Sequence, residues 1–177
     1  MMTGKLLVAH PSILGDQSFG RSVVVMAEHN EEGSLGFVVN QHTHYKLSDL
    51  LPELGIDAPV FQGGPVDEDR LFYIHTKEDI KDAKPLGNGL FWGGDLEDIK
   101  LALLSNKLPL HKIKFLLGYA GWDKGQYTEE VETNAWILIK NNYTIFENEE
   151  ELWGTILRDL GGELALYAYA PNYPGLN

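Results

Sequence analysis

The apolar residues of this chain come in short runs, each closed by a glycine, a proline or a polar turn, and a chain so punctuated builds short strands and short helices. Residues 5–10 (KLLVAH) form such a run and stop at Pro11, which has no N–H to give to a ladder. Residues 22–27 (SVVVMA) are rich in β-branched valine, and residues 35–40 (LGFVVN) repeat the pattern up to Asn40. Residues 28–34 between them are polar with one glycine, so the two runs are expected to pair as an antiparallel hairpin. Further strands are expected at residues 70–75, 111–117, 136–140 and 143–146, with a turn at Gly63-Gly64-Pro65. Residues 77–89, polar and carrying Pro85, Gly87 and Gly89, read as a surface loop.

Helix signals are fewer. Ser48 offers an N-cap for a short helix over residues 49–54, ended by Gly55, with Pro52 in its first turn. Asp95 offers another ahead of Leu96, Ile99 and Leu103, which share one helical face. Residues 126–133 place acids near a helix N-terminus, where the dipole favours them. The sharpest periodicity is Trp153, Ile156, Leu157 and Leu160, with Asn148 as cap, Glu151 completing a capping box and Gly161 as terminator. Residues 163–169 read as extended and residues 171–177 as a frayed end. About seven strands and about four short helices, without a regular βαβ repeat, make an α+β fold with a mixed, largely antiparallel sheet. The 177 residues suit a single domain, 1–177, with its core over about 4–162 and a C-terminal extension at 163–177.

Composition narrows the function classes. There is no cysteine, so disulfides, thiol nucleophiles and cysteine-based zinc sites are excluded. Residues 1–10 lack the apolar stretch of a signal peptide, and no run reaches the ~18 apolar residues of a membrane helix, so a cytoplasmic protein is expected. The net charge of −12, from 26 acidic against 14 basic residues, repels a phosphate backbone unless basic side chains cluster. The nearest thing to a cluster, His111-Lys112-Ile113-Lys114, alternates with apolar residues as a strand does, so direct nucleic-acid binding is not expected.

The residue types that do chemistry are scattered. Residues 118–126 (GYAGWDKGQ) lie between an expected strand and an expected helix, where glycine amides can face an anion. Their spacing matches neither the dinucleotide fingerprint nor the P-loop, and Glu129, Glu130 and Glu132 follow. A tight turn with Tyr119 and Trp122 packed on the sheet is the first reading, a ligand-facing loop the second. His42 and His44 present two rings to one side of a strand, with His29 and His75 near strand ends, but zinc wants three or four ligands. Asp67-Glu68-Asp69 lacks calcium-loop spacing and reads as a solvated turn. No metal or cofactor is expected. Ser12 and Ser22, with His10 or His29 nearby, have no G-x-S-x-G elbow around them, so no catalytic residue is assigned. Arg21, directly before an apolar strand, suits a structural ion pair first and an anion second.

Seven motifs occur in order: LLVAHPS at residues 6–12, FGRSV at 19–23, EH at 28–29, GSLGFVVN at 33–40, GGPV at 63–66, GYAGW with GQ at 118–126, and NAW at 134–136. Together, over about residues 4–162, they resemble the YqgE/AlgH family of small bacterial proteins. The resemblance implies an α+β fold with a bent, bifurcated sheet curled into a partial barrel and flanked by helices. One branch of that family is labelled a transcriptional regulator of alginate synthesis, but no agreed activity or catalytic residue comes with the name. The chain departs from the family pattern at His10, where Met or a small residue is more usual.

The expectation is therefore a non-catalytic regulatory or binding module, acting on transcription only indirectly. Its candidate binding residues are Arg21, Ser22, His29, Asn40, Tyr119 and Trp122, and its partner an unidentified protein or small molecule. The alternative is a hydrolase or phosphoryl-processing enzyme, which needs Ser12, His29 or the carboxylates at 67–69 gathered around one pocket. The aromatic tail, Tyr167, Tyr169 and Tyr173, leaves the oligomeric state open.

Overall fold

Valine and leucine runs bounded by turns become the strands of one sheet. The computed structural model describes residues 2–170. Its strands are β1 (Leu6–Ala9), β2 (Val23–Asn30), β3 (Gly33–Val38), β4 (His42–Lys46), β5 (Pro59–Gln62), β6 (Val66–His75), β7 (Lys84–Gly87), β8 (Leu90–Trp92), β9 (Ile113–Asp123) and β10 (Trp136–Ile139). Its α-helices are α1 (Leu47–Leu50), α2 (Leu96–Leu104), α3 (Gln126–Glu132), α4 (Glu149–Leu160) and α5 (Gly162–Tyr167). The sheet runs β10-β1-β2-β3-β9-β6-β8-β7, antiparallel at every step, while β5 lies parallel to β9 and carries β4. This is the mixed, largely antiparallel α+β fold expected.

The sheet divides at β9. One of its edges is bordered by β6. The other is shared: β5 takes residues 115–117 and β3 takes residues 120–123. Between them Gly118 adopts φ +73°, and a side chain there would overlap Gly64 O and come 2.8 Å from Val66 O. Gly63 seals the fork, accepting from Val38 N and donating to Leu117 O at 2.8 and 2.7 Å. Both faces of β9 are covered. Ile113, Phe115 and Leu117 look towards Ile99 and Leu103 of α2, while Leu116 joins the main core with β1, β2, β3 and α4. The far ends of the sheet approach without pairing: Asn88 donates to Asn141 O at 3.2 Å, and Gly4 abuts Leu86. The sheet is bent but does not close into a barrel.

Several elements differ from the sequence reading. The expected loop over 77–89 holds strand β7 and the turn of the hairpin β7–β8 from residue 84 on. Asn88 and Gly89 take φ of 54° and 76°, the backbone of a tight primed turn, and the Asn-Gly pair is its signal. Residues 143–146 form no strand. Residues 163–169 are not extended: Glu163, Leu164, Ala165 and Leu166 are helix formers, and α5 packs Leu164 on the core beside α4. The helix expected at 49–54 starts at Leu47 and breaks at Pro52, which forces Leu51 out of the helical region. Asp95 caps α2 as expected, accepting from Glu97 N at 2.8 Å. Asn148 does not cap α4 through its side chain: its φ of 53° turns the side chain away, and Glu151 N bonds the Asn148 carbonyl instead. Residues 171–177, with Tyr173, lie outside the described residues.

The fork sets an expectation for two glycines with similar backbone. Gly118→Ala must move the backbone of residues 64–66 and is expected to cost roughly 3–5 kcal/mol. Gly87→Ala, at φ +89° with open space around it, is expected to cost about 1 kcal/mol. Urea unfolding of the two variants measures the contrast, and equal losses would refute the fork as the cause.

Candidate functional site

The six candidate residues do not form one surface. Arg21, Ser22 and Asn40 meet at the start of β2. His29 lies towards the opposite end of that strand, roughly 25 Å away at the usual rise per residue. There it is cross-strand from Ser34, Nδ1 to Oγ at 2.6 Å, with its ring 5.3 Å from that of Tyr127. Ser22 is fully buried. Tyr119 is half-buried and meets Phe72 edge-on.

Trp122 corrects the expectation most sharply. The segment around it is not a loop, since β9 runs on to Asp123 and pairs Trp122 with Ser34 of β3. The indole is only 5% exposed. It stacks on Phe19, meets Trp136 edge-on, and donates to Glu130 Oε2 at 2.8 Å. Trp136 donates to the same oxygen at 2.9 Å, and Gln126 donates to Oε1. This is a clasp holding α3 to the sheet, and it removes Trp122 from any recognition face.

Of the alternative catalytic residues, Ser12 and His29 are engaged with different partners, and Asp67, Glu68 and Asp69 lie in strand β6 and not in a turn. Ser12 donates its hydroxyl to Asn134 O, and His10 Nδ1 accepts from Ser12 N to cap a turn. His75 is buried with its Nε2–H donating to Gly93 O and Nδ1 accepting from Lys77 N, and burial lowers its pKa, so it packs as the neutral imidazole. Among the described residues no three His, Asp or Glu side chains gather as metal ligands, and no helix is long and apolar enough to cross a membrane.

What the fold does assemble is a cleft beside Arg21. Arg21 has φ +62°, a left-handed conformation that costs a non-glycine residue roughly 1 kcal/mol. Asn40 holds it there. Its Nδ2 donates to Arg21 O at 2.8 Å while its Oδ1 accepts from Val23 N at 2.9 Å. The guanidinium therefore lies over the Trp153 ring, 5.0 Å from its centroid, and donates to Ala170 O. Burial lowers the Arg21 pKa, though a guanidinium stays charged. Trp153 is itself fixed, donating to Ala9 O at 2.8 Å.

The opposite wall is α4. Glu150, Gly154 and Arg158 follow at intervals of four and form one stripe beside Trp153. With Gln41 and His42 they bound a cleft of about 580 Å³, with Ala168 at its margin. A glycine inside a helix costs about 1 kcal/mol against alanine, and Gly154 has a packing reason: an added Cβ would come 3.2 Å from Ala168 O. That interior glycine, with Arg158 four residues on, was the sequence signal that could have found the site. The cleft offers guanidinium donors and carboxylate acceptors, and Trp153 beneath Arg21 is itself buried.

Lys114 underpins this corner. Strand alternation turns it to the main core face of β9, where it is 3% exposed. Its Nζ donates to Val39 O at 2.7 Å and Glu149 Oε1 at 3.1 Å, and it lies 3.7 Å from the Phe61 ring centroid. It thus ties the residue before Asn40 to the first turn of α4. Burial pulls its pKa down to about 8, with Glu149 opposing the shift.

The AlgH-like family pattern matches residues 6–165. A UPF0301 protein of Bacteroides fragilis is 38% identical over 98% of this chain and 90% of its own length. One of Chlorobaculum parvum is 38% identical over 100% and 96%. The solution structure of the AlgH protein from Pseudomonas aeruginosa superposes with a TM-score of 0.71 at 30% identity, covering 96% of this chain and 94% of that one. A Corynebacterium diphtheriae protein, at TM-score 0.72 and 23% identity over 95% and 92%, shares the fold.

The buried lysine makes stability depend on alkaline pH. Its folded pKa of about 8 lies below the ordinary 10.5, so between those values the unfolded chain binds more protons and folding gains stability as pH rises. The gain amounts to roughly 3 kcal/mol. Lys114→Met abolishes it, so the stability difference between wild type and variant is expected to shift by that amount in favour of wild type over this window. Urea midpoints at either end of the window measure it, and a constant difference would refute the assignment.

Proposed function

The chain belongs to the AlgH-like family, and from that premise we propose that it is a cytoplasmic, non-catalytic binding module whose working surface is the cleft between α4 and Arg21. One observation carries this reading. The chain keeps an arginine where glycine would relieve the backbone, and Asn40 and Trp153 hold its guanidinium in the cleft. Backbone strain maintained by surrounding bonds is a mark of functional positions. An arginine fixed before binding loses little entropy when a partner docks. A regulatory role then runs through the captured partner, because a net charge of −12 disfavours phosphate backbones.

Arg21→Gly tests this directly, since glycine suits φ +62° and the fold is expected to persist. A photocrosslinking residue at Gln41 in cells is expected to give a discrete adduct with the wild type. The adduct should fall at least about tenfold in Arg21→Gly and in Arg158→Ala, while both variants melt within a few degrees of wild type. Unchanged adducts in both variants would remove the cleft as the working surface.

A further inference from the structure

We propose that residues 168–170, which border this cleft and cover Gly154, Arg158 and Arg21 on its walls, mark the contacts of a partner protein that binds there with a polypeptide segment of the same chemistry. The segment would place a small residue on Gly154, the next residue's aromatic ring on Arg158, and the following backbone carbonyl on Arg21. This rests on the reading of the cleft as the working surface.

Three consecutive residues make three different contacts. Ala168 sits against Gly154, its Cβ 3.9 Å from where a side chain there would begin. The Tyr169 ring centroid lies 5.3 Å from the Arg158 guanidinium carbon. Ala170 O accepts from Arg21. A methyl, an aromatic ring and a main-chain carbonyl are what an uncharged peptide offers. A multiply charged anion fits less well, because Glu150 and Glu151 share the same wall.

The bordering segment is weakly held. It is joined to α4 through Gly161 and Gly162, with φ of 73° and 61°, and α5 contains no buried residue. Leu166 and Tyr169 are 75% and 74% exposed, and only Leu164 and Ala168 of this stretch pack on the core. A segment with so few buried contacts opens more readily than the body of the fold. The short tether nonetheless gives it an effective concentration in the millimolar range, so it competes with anything arriving in solution. Residues 168–170 also lie past the end of the matched family region, residues 6–165. The cleft is thus a peptide acceptor guarded by a segment of its own chain.

The test uses the full chain and a fluorescently labelled peptide with the sequence of residues 162–170 (GELALYAYA). Tyr169→Ala in the protein weakens the bordering segment at an exposed position and leaves the core untouched. The peptide is expected to bind Tyr169→Ala about tenfold more tightly than wild type, by fluorescence anisotropy. Adding Arg158→Ala to that variant should remove the gain, as should replacing the second tyrosine of the peptide. As an independent readout, Gly154→Ala should speed proteolysis within residues 166–170 without lowering the melting temperature.

Equal affinity for wild type and Tyr169→Ala, or binding indifferent to Arg158, would overturn the proposal. A wild-type dimer in sedimentation that dissolves in Tyr169→Ala would also overturn it, placing a second copy's tail in the cleft in place of a separate partner. Failure of the peptide with the Gln41 adduct intact sinks the polypeptide occupant alone. Loss of sensitivity to Arg21 and Arg158 in the adduct sinks the cleft itself.

Discussion

A strand bordered by three others has to change partners partway along one edge. In β9 that change falls at Gly118, where the backbone of residues 63–66 crosses at a distance no side chain allows. Everything else takes its place from this crossing. Residues 115–117 pair with β5 and build the smaller core against α2, and residues 120–123 pair with β3 and belong to the larger sheet. Without the fork the two cores would not share a strand, and the loop from Asn40 to His42 would not be brought over α4.

Covering β9 on both faces has an electrostatic consequence. Alternation spares a strand from burying its polar residues only when one face is wet. Here both are dry, so Lys114 is enclosed and must find its partners inside: Val39 O, Glu149 and the face of Phe61. A buried pair of this kind is poor at stabilising, because desolvation offsets much of the attraction. What it supplies is placement. It joins the end of β3 to the start of α4, the two elements that form the walls of the cleft.

Strands β1, β2 and β3 were legible in the sequence because their apolar runs and polar turns agree with the tertiary structure, whereas β4, β5 and the first residues of β6 carry no such run. The hairpin β2–β3, the cap at Asp95 and the stop at Gly161 are cases where local chemistry alone decides. The hairpin β7–β8 was equally local, and its Asn-Gly turn was obscured by the polar residues around it. Other features were out of reach for a physical reason. Whether residues 118–123 form a loop or a strand depends on β3 arriving from far along the chain. Trp122 looks like a recognition residue by type and becomes a core residue only through Phe19, Glu130 and Trp136. Arg21 and Asn40 were legible as candidates, but the wall facing them comes from α4, whose sequence drew notice only for its apolar stripe.

Two groups of positions where this chain departs from local preference can be compared. Gly63, Gly64 and Gly118 permit close backbone approach, and their neighbours are main-chain atoms of the fork. Arg21 and Gly154 depart in opposite senses: an arginine stands where glycine would be at ease, and a glycine stands where a helix would prefer a side chain. The first group needs no ligand to explain it, because the sheet cannot form otherwise. The second does not lie at the fork. Both residues line one cleft, and both are met there by residues 168–170. Local costs that converge on one concave surface are what the proposed recognition of polypeptide would explain.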